Sequence, residues 1–231
     1  MVKLHSPLHA SLKRTAKRLL GRPQEYKFDE ELHWQRTEWL PLWSLEANQK
    51  KCHEYWRRYR HLDDILMAFP ITSTTDVLDV GCGMSSVLHF VEGRRVGLDP
   101  LMAQYRKLYR YPFETIVAPG EAIPRPNASF DVVFCSNCID HSTSPEQLVA
   151  EMRRVLRPGG IAVLTCEVFE QAVGERDLAH PHSISAASLR ALVAGHFTIT
   201  AEWNEPFYGL KRYCEGATEP AGTEQILLLR L

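Results

Sequence analysis

From Pro70 onward the chain alternates short apolar runs with stretches of helical spacing, and that rhythm leaves few folds open. Runs at Val77–Val80, Arg95–Leu98, Thr115–Val117, Asp131–Cys135 and Ile161–Thr165, followed by Phe197–Trp203 and Gln225–Leu231, predict seven strands. Strands separated by helices pair in parallel, because a crossover needs the length that a hairpin lacks. The expected class is therefore α/β, an open sheet with helices on both faces. The helix after the fourth strand has the clearest start: Ser144 can cap it, Pro145 stands at its first position and Gln147 can complete a capping box. Leu148, Met152 and Val155 form its apolar face, and Leu156-Arg157-Pro158-Gly159-Gly160 predicts a tight turn into the fifth strand.

Ahead of this core lie two segments of different character. Residues 25–70 are aromatic and helical, holding Trp34, Trp39, Trp43 and Trp56, four of the five tryptophans. Trp56, Tyr59, Leu62, Leu66 and Phe69 step by three or four, which predicts one amphipathic helix packed on the sheet. In residues 1–24 a basic series, Lys3, Lys13, Arg14, Lys17, Arg18 and Arg22, accompanies Leu8, Leu12, Ala16 and Leu19 at helical spacing. Such a helix is solvated or caps the core, or else lies on an anionic membrane surface or docks on a partner. The expected organisation is a basic amphipathic segment (1–24), an aromatic helical cap (25–70) and a core (71–231), with 231 residues enough for one core. A net charge of -1 gives no case for a nucleic-acid partner. No apolar run approaches the ~18 residues of a membrane span and no compact apolar block opens the chain, so a cytoplasmic protein is expected. The six cysteines, Cys52, Cys82, Cys135, Cys138, Cys166 and Cys214, are scattered in a way that suits reduced thiols.

The segment Val77 to Ser86 combines a buried strand, an acid at its end and two glycines opening a helix expected near Ser85. Gly81 and Gly83 let backbone approach a ligand closely, and a helix start offers free N–H groups. Twenty residues after Asp79, a second strand ends in Asp99-Pro100, where a carboxylate can accept from both hydroxyls of a ribose. Nicotinamide sites share this much, but they want glycine at position 86, where Ser86 stands, and have no use for the acid at 79. An ammonium-bearing ligand explains that acid. A fourth strand, Phe130 to Cys135, ends in the small polar Ser136-Asn137.

Together these motifs resemble the class I S-adenosylmethionine-dependent methyltransferases, in the broad group that includes ubiquinone and menaquinone biosynthesis enzymes, over residues 55–203. The resemblance implies a Rossmann-like seven-stranded sheet with its last strand antiparallel, S-adenosyl-L-methionine as cofactor and S-adenosyl-L-homocysteine as product. By the same resemblance, Asp79, Gly81, Cys82 and Gly83 would hold the methionine part, Asp99 and Pro100 the ribose, and Gly120, Glu121 and Ala122 the adenine edge. Ser136 and Asn137 would lie near the sulfonium. Two departures stand out: Ser85 replaces a frequent glycine, and Pro119 replaces a frequent acid, so adenine would be read by backbone or by Glu121.

A hydroxyl acceptor needs a base, and candidates are His141 just after the fourth strand and the pair His180 and His182. Each has a plainer reading as a loop brace. Asp140, Asp177, His180 and His182 have metal-binding atoms, yet their spacing matches no ligand signature and no metal is expected. Cys135 and Cys138 lack the second cysteine pair of a zinc site. Tyr55, Arg58 and Tyr208 are candidate acceptor contacts, with packing as their alternative. The reading is methyl transfer to a small-molecule or glycan acceptor at oxygen, with a lipid-linked or quinone-like acceptor and a non-catalytic binding scaffold as alternatives.

Overall fold

The computed structural model describes residues 23–43, 45–170 and 179–231. Nearly all of the basic helix expected in residues 1–24, and Asp177, lie outside them. All seven expected strands are present: β1 (Asp76–Val80), β2 (Arg94–Asp99), β3 (Glu114–Val117), β4 (Phe130–Ser136), β5 (Leu156–Val168), β6 (Thr198–Phe207) and β7 (Gly222–Arg230). They form one sheet in the order β3-β2-β1-β4-β5-β7-β6. β1 to β5 pair in parallel, and β7 runs antiparallel between β5 and β6. The central strands read as unbroken apolar runs because both faces are covered. Leu78, Val80, Val133, Cys135 and Leu164 pack on one side with α5 (Pro145–Val155) and α6 (Ala186–Ala194). Val77, Val132, Phe134 and Val163 pack on the other with Trp56, Leu62 and Ile65.

Before the sheet, α1 (Pro23–Trp34) continues through a wide π-helical turn (Gln35–Trp39) and a short helical turn (Leu40–Trp43). α2 (Glu46–Tyr59) and α3 (Leu62–Ala68) follow. The single helix expected through Phe69 is thus two, broken at Arg60 and His61, where His61 adopts φ 49°. Side-chain pairing causes the break. Arg60 forms an ion pair with Glu224 of β7 at 2.9 Å, while the His61 ring bridges Asp64 and Glu205, each at 2.8 Å. The apolar period survives the break because Trp56, Leu62 and Ile65 still fill one cluster.

At α5 the cap is one-way: Ser144 Oγ accepts from the Gln147 N–H at 3.3 Å and donates to Glu146, not to a returning Gln147 side chain. The reciprocal box stands instead at α6, between Ser185 and Ser188. The turn expected at 156–160 is taken up into β5 itself, as a bulge in which Phe130 pairs Leu156 and Val132 pairs Ile161. α4 (Met102–Tyr105) and α7 (Leu210–Cys214) are short helices of four and five residues. All six cysteines are free. Among the described residues, no helix is long and apolar enough to cross a membrane.

Candidate active site

The carboxyl ends of β1, β2 and β4 meet around Gly81 to Gly83. Gly81 (φ 68°) and Gly83 (φ 49°) are left-handed, and a Cβ on Gly81 would stand 2.6 Å from Cys138 Cβ. Glycine is therefore required there by conformation and by space. The Gly81 and Cys82 N–H groups donate to Leu98 O at 2.8 and 3.1 Å, which ties the turn to β2. The helix expected near Ser85 is a correction: only one short turn, Val87–His89, follows the glycines, and Ser86, not Ser85, caps it. Thirteen residues (81–93) join β1 to β2, and the Gly81–Ser86 turn takes up the first six of them. Carboxylates, not a helix dipole, dominate this site.

Asp79 is 2% exposed; its Oδ2 accepts from Ser86 Oγ at 2.6 Å and its Oδ1 has no hydrogen-bond partner among the described residues. Asp99 Oδ1 accepts from the Leu101 N–H at 2.8 Å and Oδ2 from the Gly83 N–H at 3.2 Å. Burial pushes both acids up to about 7, with the Ser86 hydroxyl acting against it at Asp79 and the Leu101 amide at Asp99. Two such acids at adjacent strand ends suit a ligand bearing a cationic amine and a diol. Beyond them, the buried Ser136 Oγ and Asn137 Oδ1 also lack hydrogen-bond partners among the described residues, and Asn137 is held at φ 50° with its N–H on Thr165 O at 2.9 Å. These residues fit the cofactor that the sequence implies, at its methionine and ribose ends.

On the expected adenine side, a Cβ on Gly120 would stand 2.7 Å from Val80 Cγ1, so Gly120 permits the loop after β3 to close on the sheet. Ala122 donates its N–H to Pro119 O at 3.2 Å. Glu121 Oε1 accepts from the Thr143 and Ser144 N–H groups at 2.5 and 3.3 Å, so its carboxylate braces the approach to α5.

The His141 and His180 rings lie 4.2 Å apart, and His141 Nε2 is 4.0 Å from Oδ1 of the buried Asp140. Burial holds the His141 imidazole below its ordinary pKa, with Asp140 acting against it. His182 is placed differently: Nε2 is 3.1 Å from Ser142 O and its N–H reaches Asp140 O at 3.4 Å, so it fastens the loop that carries His141. Tyr55 is 1% exposed, its hydroxyl donating to Glu224 Oε2 at 3.4 Å, which puts it in the cap's core. Arg58 is exposed over the Tyr59 ring at 5.0 Å, and Tyr208 packs on the same ring at 5.2 Å.

Three residues not anticipated from sequence enter from α1 and the turn after it. Gln35 Oε1 accepts from the Met84 N–H at 3.1 Å, above Gly83, and Gln35 Nε2 donates to Glu31 Oε1 at 3.0 Å. Lys27 Nζ donates to His141 O. Burial lowers the Lys27 pKa, opposed by Glu121, Glu31 and Asp140. Lys27, Glu31 and Gln35 recur every four residues, a polar stripe in an aromatic helix that could have been read as a face turned to the site.

A family model described as a methyltransferase domain matches residues 78–164. The chain is 34% identical over 108 residues to an uncharacterised methyltransferase of Mycobacterium ulcerans, covering 47% of this chain and 41% of that protein. It is 36% identical over 108 residues to a malonyl-[acyl-carrier protein] O-methyltransferase of Hahella chejuensis, covering 41% and 39%. The chain thus spans about two-fifths of the length of these curated relatives. Among solved structures, the Burkholderia thailandensis 1,6-didemethyltoxoflavin-N1-methyltransferase, with bound 1,6-didemethyltoxoflavin and S-adenosylhomocysteine, superposes with a TM-score of 0.57. That similarity covers 100% of this chain and 92% of that one at 18% identity, a likeness of fold.

Proposed function

We propose, from the premise that this chain carries a class I S-adenosylmethionine-dependent methyltransferase domain, that the whole protein transfers a methyl group to an oxygen of a small-molecule or glycan acceptor. The observation that carries the methyl-donor reading is the meeting of Asp79, Asp99 and the Gly81–Gly83 turn at one edge of the sheet. When bound, S-adenosylmethionine supplies an electrophilic methyl group. The chain then has to position an acceptor, exclude water and accept a proton. Asp79 answers the ligand's ammonium, Asp99 its ribose hydroxyls, and the backbone at Gly81–Gly83 makes the close approach. The oxygen assignment rests on the paired imidazoles of His141 and His180, which offer a sink for a hydroxyl proton. Tyr59, Tyr208 and Tyr213 form an aromatic group that suits the flat or ring-bearing face of such an acceptor.

Calorimetry with S-adenosylmethionine, S-adenosylhomocysteine and NAD tests the donor reading. Both adenosyl ligands should bind, and Asp99→Ala should weaken them by more than ~10-fold through loss of charge-assisted hydrogen bonds. A preference for NAD, or unchanged affinity in the variant, would sink the assignment.

The raised acids give a pH signature. Below about pH 7 the free protein holds protons on Asp79 and Asp99, whereas a cationic, hydroxyl-bearing ligand favours both carboxylates. S-adenosylhomocysteine affinity should therefore rise with pH up to about 7 and level off above it, with protons released on binding at the acid end. Titrations in buffers of different ionisation enthalpy would detect that release, and a flat profile from about pH 5.5 to 8 contradicts it.

A further inference from the structure

One cluster offers more than a proton sink. Donor atoms of Asp140, His141 and His180 all lie within 4.8 Å of one another, with Asp140 buried and both imidazoles half-buried. Asp140 and His141 are neighbours in the short turn Ile139–His141 after β4, while His180 comes from the far side of β5 in sequence, so only the fold assembles the set. We infer that Asp140, His141 and His180 form a binding site for a divalent first-row transition metal ion beside the acceptor position.

Donor chemistry selects the ion. Two imidazole nitrogens and one carboxylate oxygen suit zinc, cobalt, nickel or ferrous iron, whereas magnesium and calcium want oxygen throughout. An ion about 2.1 Å from each donor requires donors no more than about 4.2 Å apart, so the set must close by roughly 0.6 Å, which side-chain rotation supplies. Three protein donors leave further coordination positions open, as in metal sites that bind a small ligand. Asp140, Glu31 and Glu121 each favour the Lys27 ammonium, which rests on His141 O, against the burial that disfavours it. Lys27 would have to swing aside or share this field with the ion. The nearby Cys135 and Cys138 sulfurs pair with each other at 2.9 Å and are not part of the set.

Binding of the ion does not depend on the methyl-transfer reading; its use does. In the ion-free chain the imidazoles can take the acceptor's proton; with the ion bound they would serve as ligands, and a hydroxyl ligated at an open position, being a stronger acid, would lose its proton to solvent. The test is a cobalt(II) titration of the chelator-treated full-length chain, followed by visible absorption, with zinc(II) as competitor. One cobalt per chain should bind, with weak visible bands, displacement by zinc and no intense thiolate charge-transfer band. His141→Ala, His180→Ala and Asp140→Asn should each weaken binding by at least ~10-fold. S-adenosylhomocysteine calorimetry and thermal melting of the same samples report whether each variant is folded. Absence of stoichiometric cobalt binding, a thiolate band, or unchanged affinity in folded variants overturns the site. A chain that binds cobalt as expected but no adenosyl ligand would instead overturn the methyltransferase reading and leave the metal site standing.

Discussion

Glu224→Ala is expected to lower folding stability by ~3–5 kcal/mol, read as a shift of the denaturation midpoint in urea. Glu224 is 1% exposed, and its partner Arg60 is 8% exposed with its guanidinium 4.6 Å above the Trp56 ring. Removing the carboxylate leaves a largely desolvated cation without its ion-pair partner and deprives the Tyr55 hydroxyl of its acceptor. That desolvated charge accounts for the size of the effect, since the ion pair itself repays little beyond its own burial. A paired variant, Arg60→Met with Glu224→Leu, should recover most of the loss, because it removes both charges at similar volume. A loss under about 1 kcal/mol for the single substitution, or no recovery in the pair, would mean that water enters this corner of the sheet.

The second large effect is expected at His141. His141→Ala should reduce turnover of an accepted substrate by ~10²–10⁴-fold, while S-adenosylhomocysteine affinity stays within about twofold of the parent chain. His182→Ala should cost less than about tenfold, a barrier change under about 1.4 kcal/mol, because its contacts are to the loop backbone. Steady-state rates with an acceptor found by screening, set beside calorimetry on each variant, separate the two. Equal losses at both positions would assign His141 a bracing role and remove the basis for an oxygen acceptor.

The central strands were legible because they are apolar on both faces and set off by helical spacing. β1 and β4 show this best, with Val77 and Leu78 facing opposite cores. The meeting of Asp79, Gly81, Gly83 and Asp99 at one sheet edge was legible because their spacing follows from one turn between neighbouring parallel strands. What stayed hidden depends on contacts distant in sequence. The break at Arg60 and His61 is imposed by Glu224 and Glu205, about 150 residues onward, and apolar periodicity gives no sign of it. The junction of His141 with His180 needs the sheet to be built first, and the stripe of Lys27, Glu31 and Gln35 became meaningful only once α1 was seen against the glycine turn.

The position of β7 also bears on how the protein is made. Residues 222–230 lie between β5 and β6, yet they follow both in the chain. During synthesis, the outer edge of β5 emerges with its ladder groups open and waits for more than fifty further residues before its neighbour exists. β6 meanwhile has no partner of its own, since it joins the sheet only through β7. The nascent chain therefore carries an open β5 edge from Val168 to Gly222, joined after Phe207 by an unpaired β6, and its exposure to misassembly grows with the time the ribosome takes to cross that stretch.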